Sequence, residues 1–191
     1  MDVDETRVAL LDAAEALFYE RGIQAVGIDE VRAVSGVSLK RLYQVFPAKR
    51  QLVEAYLLRR DGSWRARLAG YVEDHPENAI PAVFGWLREW FAEPGFRGCA
   101  FVNSFGELGS VEPGVADVVR AHHAAVREFL AGLVADLDVT DHDALADQLW
   151  LLLVGSSTGA AITGDPSMAD RARDAAEVLV NVATSGKPRS L

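Results

Sequence analysis

"GVSLKRLYQVF", residues 36–46, is the stretch whose reading decides the fold of this 191-residue chain. A glycine, a serine, two adjacent cations and an aromatic stand close together there, in a protein of net charge −9. Gly36 can end a short helix over 28–35, because glycine accepts a left-handed backbone at little cost. Ser38 can cap a second short helix over 39–45 by accepting an orphan backbone N–H. Gly27 is expected to cap the first of the pair, with Glu30 reaching back to its N–H. Two short helices across a glycine turn are the helix-turn-helix layout. On 39–45, Leu42 and Val45 can face inward, which leaves Lys40, Arg41, Tyr43 and Gln44 on the outward arc. Arginine or lysine can read guanine edges and glutamine can pair with adenine in a major groove. Tyr43 can bond a phosphate.

Working outward, Leu10, Ala14 and Leu17 recur at helical spacing from Thr6 to Glu20, and Gly22 follows at the expected stop. Pro47 precedes a fourth helix expected to reach about residue 72, although Asp61-Gly62 lies inside it. Its first turn carries Lys49 and Arg50, where the macrodipole favours acids. That choice suits an anion docked on the helix start, and a DNA phosphate is the natural candidate. Charge is distributed in the same sense. Residues 1–60 hold nine Lys/Arg and nine Asp/Glu, and the remaining surplus of acid falls entirely after them. Within 38–60, Lys40, Arg41, Lys49, Arg50, Arg59 and Arg60 face Glu54 alone. An acidic chain does not coat nucleic acid indiscriminately, but a local basic island can dock at one site.

The rest of the chain is also helical in pattern, with helices expected at 78–92, 99–108, 114–136, 142–163 and 167–184 and no strand pattern. Only the tail "SGKPRSL" is expected to fray. No uninterrupted apolar run approaches the roughly 18 residues of a membrane span; the longest candidate is "LWLLLVG" at 149–155. The acidic start "MDVDETR" does not resemble a signal peptide. Cys99, the one cysteine, cannot form an intrachain disulfide, so a reduced, cytoplasmic setting is expected.

From "AAEALFYERG" through "SGVS" and "LYQVFPAK" to the following "LV", residues 6–56 resemble the N-terminal domain of TetR-family transcriptional regulators. The resemblance implies an all-α protein with a three-helix DNA-binding domain at 1–47 and a helical ligand-binding and dimerisation domain at 48–191. It implies that Ser38 to Gln44, Leu39 included, form the recognition helix and its start. Tyr43 and Lys49 would contact phosphates, and Gly27 and Ile28 would lie near the DNA backbone. Leu39, Lys40 and Arg41 stand where relatives often have Lys, Gly and Thr, so the operator is not borrowed from a relative. The expected partners are a palindromic double-stranded operator, a second copy of the chain and a small-molecule effector, with repression as the output.

The last two helices would make a four-helix dimer interface. "LVGSSTGAAITG" suits it, because small residues allow close approach while leucines supply apolar area. Leu151, Leu152, Gly155, Thr158, Gly159, Ile162, Val178 and Val182 are its expected members. An apolar effector site is expected among Trp64, Tyr71, Trp86, Trp90, Phe101, Phe105 and Val126. Asn103, Glu107 and His122 can orient a ligand there. An enzyme is not expected. His122-His123 diverge on a helix, "DHD" at 141–143 suits a helix start, and no P-loop, metal-ligand or nucleophile motif appears. No cofactor or metal follows.

Overall fold

Asp2 and Glu5 start the first helix by reciprocal capping. The Asp2 carboxylate accepts the Glu5 N–H at 2.8 Å, and the Glu5 carboxylate accepts the Asp2 N–H at 2.9 Å. In the computed structural model, which describes residues 2–185, helix α1 therefore spans Val3–Arg21 and begins ahead of the expected Thr6. The expected frayed tail lies almost entirely outside the described residues. The helices that follow are α2 (Ile28–Ser35), α3 (Leu39–Val45), α4 (Lys49–Glu73) and α5 (Ala79–Phe91). Then come α6 (Ala100–Leu108), α7 (Pro113–Val134), α8 (His142–Thr163) and α9 (Met168–Thr184). Pro76–Asn78 adds a single 3-10 turn in the stretch expected to be loop. No strand occurs among the described residues.

Helix α4 runs unbroken through Asp61-Gly62. A mid-helix glycine costs about 1 kcal/mol relative to alanine. Here Asp61 gains a partner, because its carboxylate lies 2.7 Å from His122 Nδ1. His122 is buried and stacks on Phe101, with ring centroids 3.6 Å apart.

The chain divides into two compact units. The first comprises residues 1–63 and 100–122, and the second 64–99 and 123–191. Within the first, α1, α2 and α3 pack on one another. Leu10, Ala14, Phe18, Val31, Leu42 and Phe46 are buried. Phe18 meets Tyr56 of α4 edge-on at 5.8 Å. The stretch 100–122 joins these helices through contacts too distant in sequence for a pattern reading to find. In the second unit α5, α8 and α9 pack on one another. Their core contains Leu68, Phe84, Leu87, Leu130, Leu149 and Ala176.

Helix α8 is long and apolar enough to cross a membrane by length and composition. Its Leu145, Leu149 and Leu153 are nevertheless buried in the protein core.

Candidate nucleic-acid interface

The turn between α2 and α3 is built from local chemistry. Gly36 has φ 68°, in the left-handed region. Ser38 Oγ accepts the Arg41 N–H at 3.3 Å and so caps α3. Leu42 is buried and Val45 half-buried, which anchors the helix on α1 and leaves its other face outward. Ser38, Leu39, Lys40, Tyr43 and Gln44 are exposed. Tyr43 and Leu39 are apolar groups with 44% and 42% exposure, which buries neither against the fold.

Arg41 departs from the outward arc. It is half-buried, its Nη1 lies 3.4 Å from Gln44 Oε1, and its Nε reaches Thr6 Oγ1 of α1 at 3.5 Å. These are long, weak bonds, but they lay the guanidinium along the protein.

The basic island is also narrower than its sequence. Arg59 bonds Asp12 and Glu15 of α1, each at 2.7 Å, and Arg60 bonds Glu15 at 3.0 Å. Two of its six cations are thus neutralised by acids more than forty residues away in the chain. Lys49 turns inward. Its Nζ donates to the Ile23 carbonyl at 2.5 Å and sits 5.7 Å from the Phe18 ring centroid. Burial pushes its pKa below the ordinary lysine value, opposed by the negative charges of Glu107 and Glu30. The Ala48 N–H at the start of α4 is taken by Gln51 Oε1 at 3.0 Å. Of the two cations expected to flank an anion there, Lys49 turns to the Ile23 carbonyl and Arg50 stays exposed. Of the island's cations, all among the described residues, Lys40 and Arg50 remain exposed without an ion pair.

Gly27 caps α2 as expected, and its N–H donates to Glu30 Oε1 at 3.0 Å. That bond and the Arg21 guanidinium hold the Glu30 carboxyl below its ordinary pKa. Gly27 is exposed and Ile28 half-buried beside it.

The expected effector residues are shared between the two units. Trp64, Trp86 and Trp90 are buried in the second unit, where their rings pack at 4.9, 5.5 and 5.7 Å. Val126 belongs to the same core. The Tyr71 hydroxyl donates to Glu89 at 3.2 Å. Phe101, Asn103, Phe105 and His122 belong to the first unit. Phe105 is 45% exposed and Asn103 is exposed. Glu107, expected to orient a ligand, instead accepts the N–H groups of Ile23 and Gln24 at 3.1 and 2.7 Å. A surface groove of about 520 Å³ in the second unit is lined by residues including Pro76, Ile80, Leu133, Leu137, Glu177 and Val180, and by none of the expected aromatics.

The faces of α8 and α9 carry uncovered apolar side chains. Leu151, Ile162, Val178 and Val182 are exposed, together with Gly155 and Thr158. Residues 151, 155, 158 and 162 follow helical spacing on one stripe. Leu152 and Gly159 lie partly inward. Leu152 packs on the core, and a Cβ on Gly159 would stand 3.6 Å from Met168.

Comparison with known proteins places these features in a family. Residues 10–56 match the family model described as bacterial regulatory proteins, tetR family. Residues 76–176 match the tetracyclin repressor-like C-terminal domain. The helix-turn-helix transcriptional activator FasR of Mycolicibacterium smegmatis is 46% identical over 56 residues, or 29% of this chain and 26% of its own length. The regulator TtgR of Pseudomonas putida is 34% identical over 56 residues, 27% of its length. The similarity to these curated relatives thus spans only about a quarter of each.

Solved structures are similar over nearly the whole chain. A TetR-family regulator from Streptomyces coelicolor has TM-score 0.87 at 29% identity, covering 95% of this chain and 97% of its own. A TetR-type regulator from Streptomyces avermitilis has TM-score 0.83 at 28% identity, covering 93% and 97%. With both halves matched and a glycine-turned, serine-capped helix presented outward, the chain belongs to the TetR family of DNA-binding transcriptional regulators.

Proposed function

We propose that the protein is a homodimeric repressor that binds a palindromic operator and is released from it by a small, mostly hydrophobic ligand. The observation that carries this reading is the exposed α3 face of Ser38, Leu39, Lys40, Tyr43 and Gln44, with Leu42 anchoring the helix from behind. Lys40 and Gln44 would read base edges, Leu39 would pack on a thymine methyl, and Tyr43 would bond a phosphate. Arg50 and the Gly27–Ile28 end of α2 would lie along the backbone. Arg41 would have to leave Gln44 and Thr6 to reach a base. The uncovered stripe on α8 and α9 supports the dimer, which would offer two such faces to half-sites roughly 34–36 Å apart or a multiple of that.

The aromatic core of the second unit supports an apolar effector. Trp64, Trp86 and Trp90 already pack on one another, so a ligand there would have to part the rings, and tryptophan fluorescence would report it. The ligand would act only through its different affinities for the DNA-competent and incompetent states. A cytoplasmic location follows from this role.

Selection of a random DNA library by the purified protein, followed by binding of the winners at two salt concentrations, tests the reading. An enriched palindrome whose affinity falls steeply with salt is the expected result. A transcription assay on that site then gives the sign of regulation, and stimulation would make the protein an activator. No enrichment, with no binding even at low salt, would remove the reading.

A further inference from the structure

The peptide between Ile23 and Gln24, in the turn that joins α1 to α2, is gripped from two sides. Glu107 of α6 accepts the Ile23 N–H on one carboxylate oxygen, at 3.1 Å, and the Gln24 N–H on the other, at 2.7 Å. The Gln24 side-chain amide returns a bond to the Glu107 carbonyl at 2.5 Å. Lys49 at the start of α4 donates to the Ile23 carbonyl at 2.5 Å. Gly22 makes room for the carboxylate. Its φ is +87°, and a Cβ there would stand 3.2 and 3.3 Å from the two Glu107 oxygens. Ile23 is buried, so its backbone groups need such partners.

Resting on the regulator reading above, we infer that Glu107 is a positioning residue for DNA binding. It touches no DNA itself. It fixes the turn that sets α2, and with α2 the helix-turn-helix, relative to α1. It also places negative charge near Lys49, which helps hold the ammonium inward on the Ile23 carbonyl. One side chain on α6 thereby ties together the α1–α2 turn and the start of α4. A shift of α6 that withdrew the carboxylate would release both.

Glu107→Gln separates this role from simple electrostatics, because the two predict opposite signs. Removing a negative charge from the DNA-binding unit should tighten DNA binding if charge alone matters. Loss of positioning should weaken it. The side-chain amide that this substitution introduces keeps one acceptor oxygen and sets an NH2 donor where the other oxygen accepted, so the two-oxygen grip on the N–H pair is lost.

The experiment uses the full-length protein and the operator selected by the wild type. The expected result is about a tenfold rise in Kd with an unchanged salt slope, since no phosphate contact is lost. Amide exchange at Ile23 and Gln24 should accelerate while α8 amides stay protected. Wild-type or tighter binding by a folded Glu107→Gln overturns the inference, and so does weaker binding with unchanged exchange at Ile23 and Gln24. If thermal unfolding shows that variant unfolded at the assay temperature, Gln24→Ala decides, because it removes only the exposed side-chain bond. A severalfold loss of affinity then supports the inference and wild-type affinity overturns it. A wild type that selects no DNA would fail the regulator reading itself, a different outcome from a wild type and variant that bind alike.

Discussion

Truncating the exposed stripe on α8 tests the dimer most directly. Leu151 and Ile162 are 60% and 80% exposed in the protomer. Burying a whole Leu or Ile side chain contributes about 2 kcal/mol. Covering the exposed part and then removing it as alanine therefore costs about 1 kcal/mol per residue. A twofold interface uses each residue twice, so Leu151→Ala/Ile162→Ala should weaken the dimer by about 4 kcal/mol, or about a thousandfold in Kd. The protomer itself should not suffer, because neither side chain is buried within it and alanine favours the helix. Analytical ultracentrifugation over a wide concentration range reads the shift, with circular dichroism as the folding control. A double variant that dissociates at the wild-type concentration would refute the reasoning and move the interface elsewhere. A variant that unfolds would also refute it, since that would make the stripe part of the protomer's own core.

Three shorter predictions concern charge and the recognition face, and a fourth concerns pH. Arg50→Ala should lower the slope of log Kd against log salt by about 0.9 per half-site, because an exposed cation leaves a phosphate. Lys49→Ala should weaken binding with the slope unchanged, because its ammonium bonds the Ile23 carbonyl; a slope lowered by a similar amount would return Lys49 to the DNA contacts. Tyr43→Ala should cost about 1 kcal/mol of DNA affinity with unchanged thermal stability, as befits a 44% exposed side chain, and a lowered Tm would contradict it. Burial beside Trp150 pushes the His123 pKa below its ordinary 6.5. The unfolded chain then binds the extra proton first, so stability is lost as pH falls below about 6.5 and levels off once the lower folded value is passed. His123→Gln should flatten the dependence of Tm on pH in that window, and an unchanged slope would mean other groups set it.

What the sequence makes legible is what neighbouring residues settle among themselves. Gly36 and Ser38 define the turn and cap of α3 within three residues, and the Gly27–Glu30 bond spans three more. Helical spacing places the longer elements to within a few residues. The early start of α1 has a local signal too, the Asp2–Glu5 capping pair. Side-chain destinations across long separations are not legible. The charge of Arg59 and Arg60 looks available in the sequence because Asp12 and Glu15 lie a whole helical domain earlier in the chain. Glu107 looks like a ligand group because its targets, Ile23 and Gln24, precede it by more than eighty residues.

These long-range pairings change what the charge distribution means. With Arg59 and Arg60 neutralised, Lys49 turned inward and Arg41 laid along the protein, Lys40 and Arg50 are what remains of the island as exposed, unpaired cations. Two such charges on a chain of net charge −9 hold DNA weakly. With few phosphate contacts from this island, a protomer's base contacts would carry a larger share of affinity. Joining two protomers doubles the phosphate contacts without new chemistry and adds a spacing requirement that only a palindrome meets. If the dimer forms through the apolar stripe on α8 and α9, that stripe would bear on DNA recognition as much as the proposed face of α3. Weakening the dimer should therefore reduce operator affinity even though Leu151 and Ile162 would touch no nucleotide.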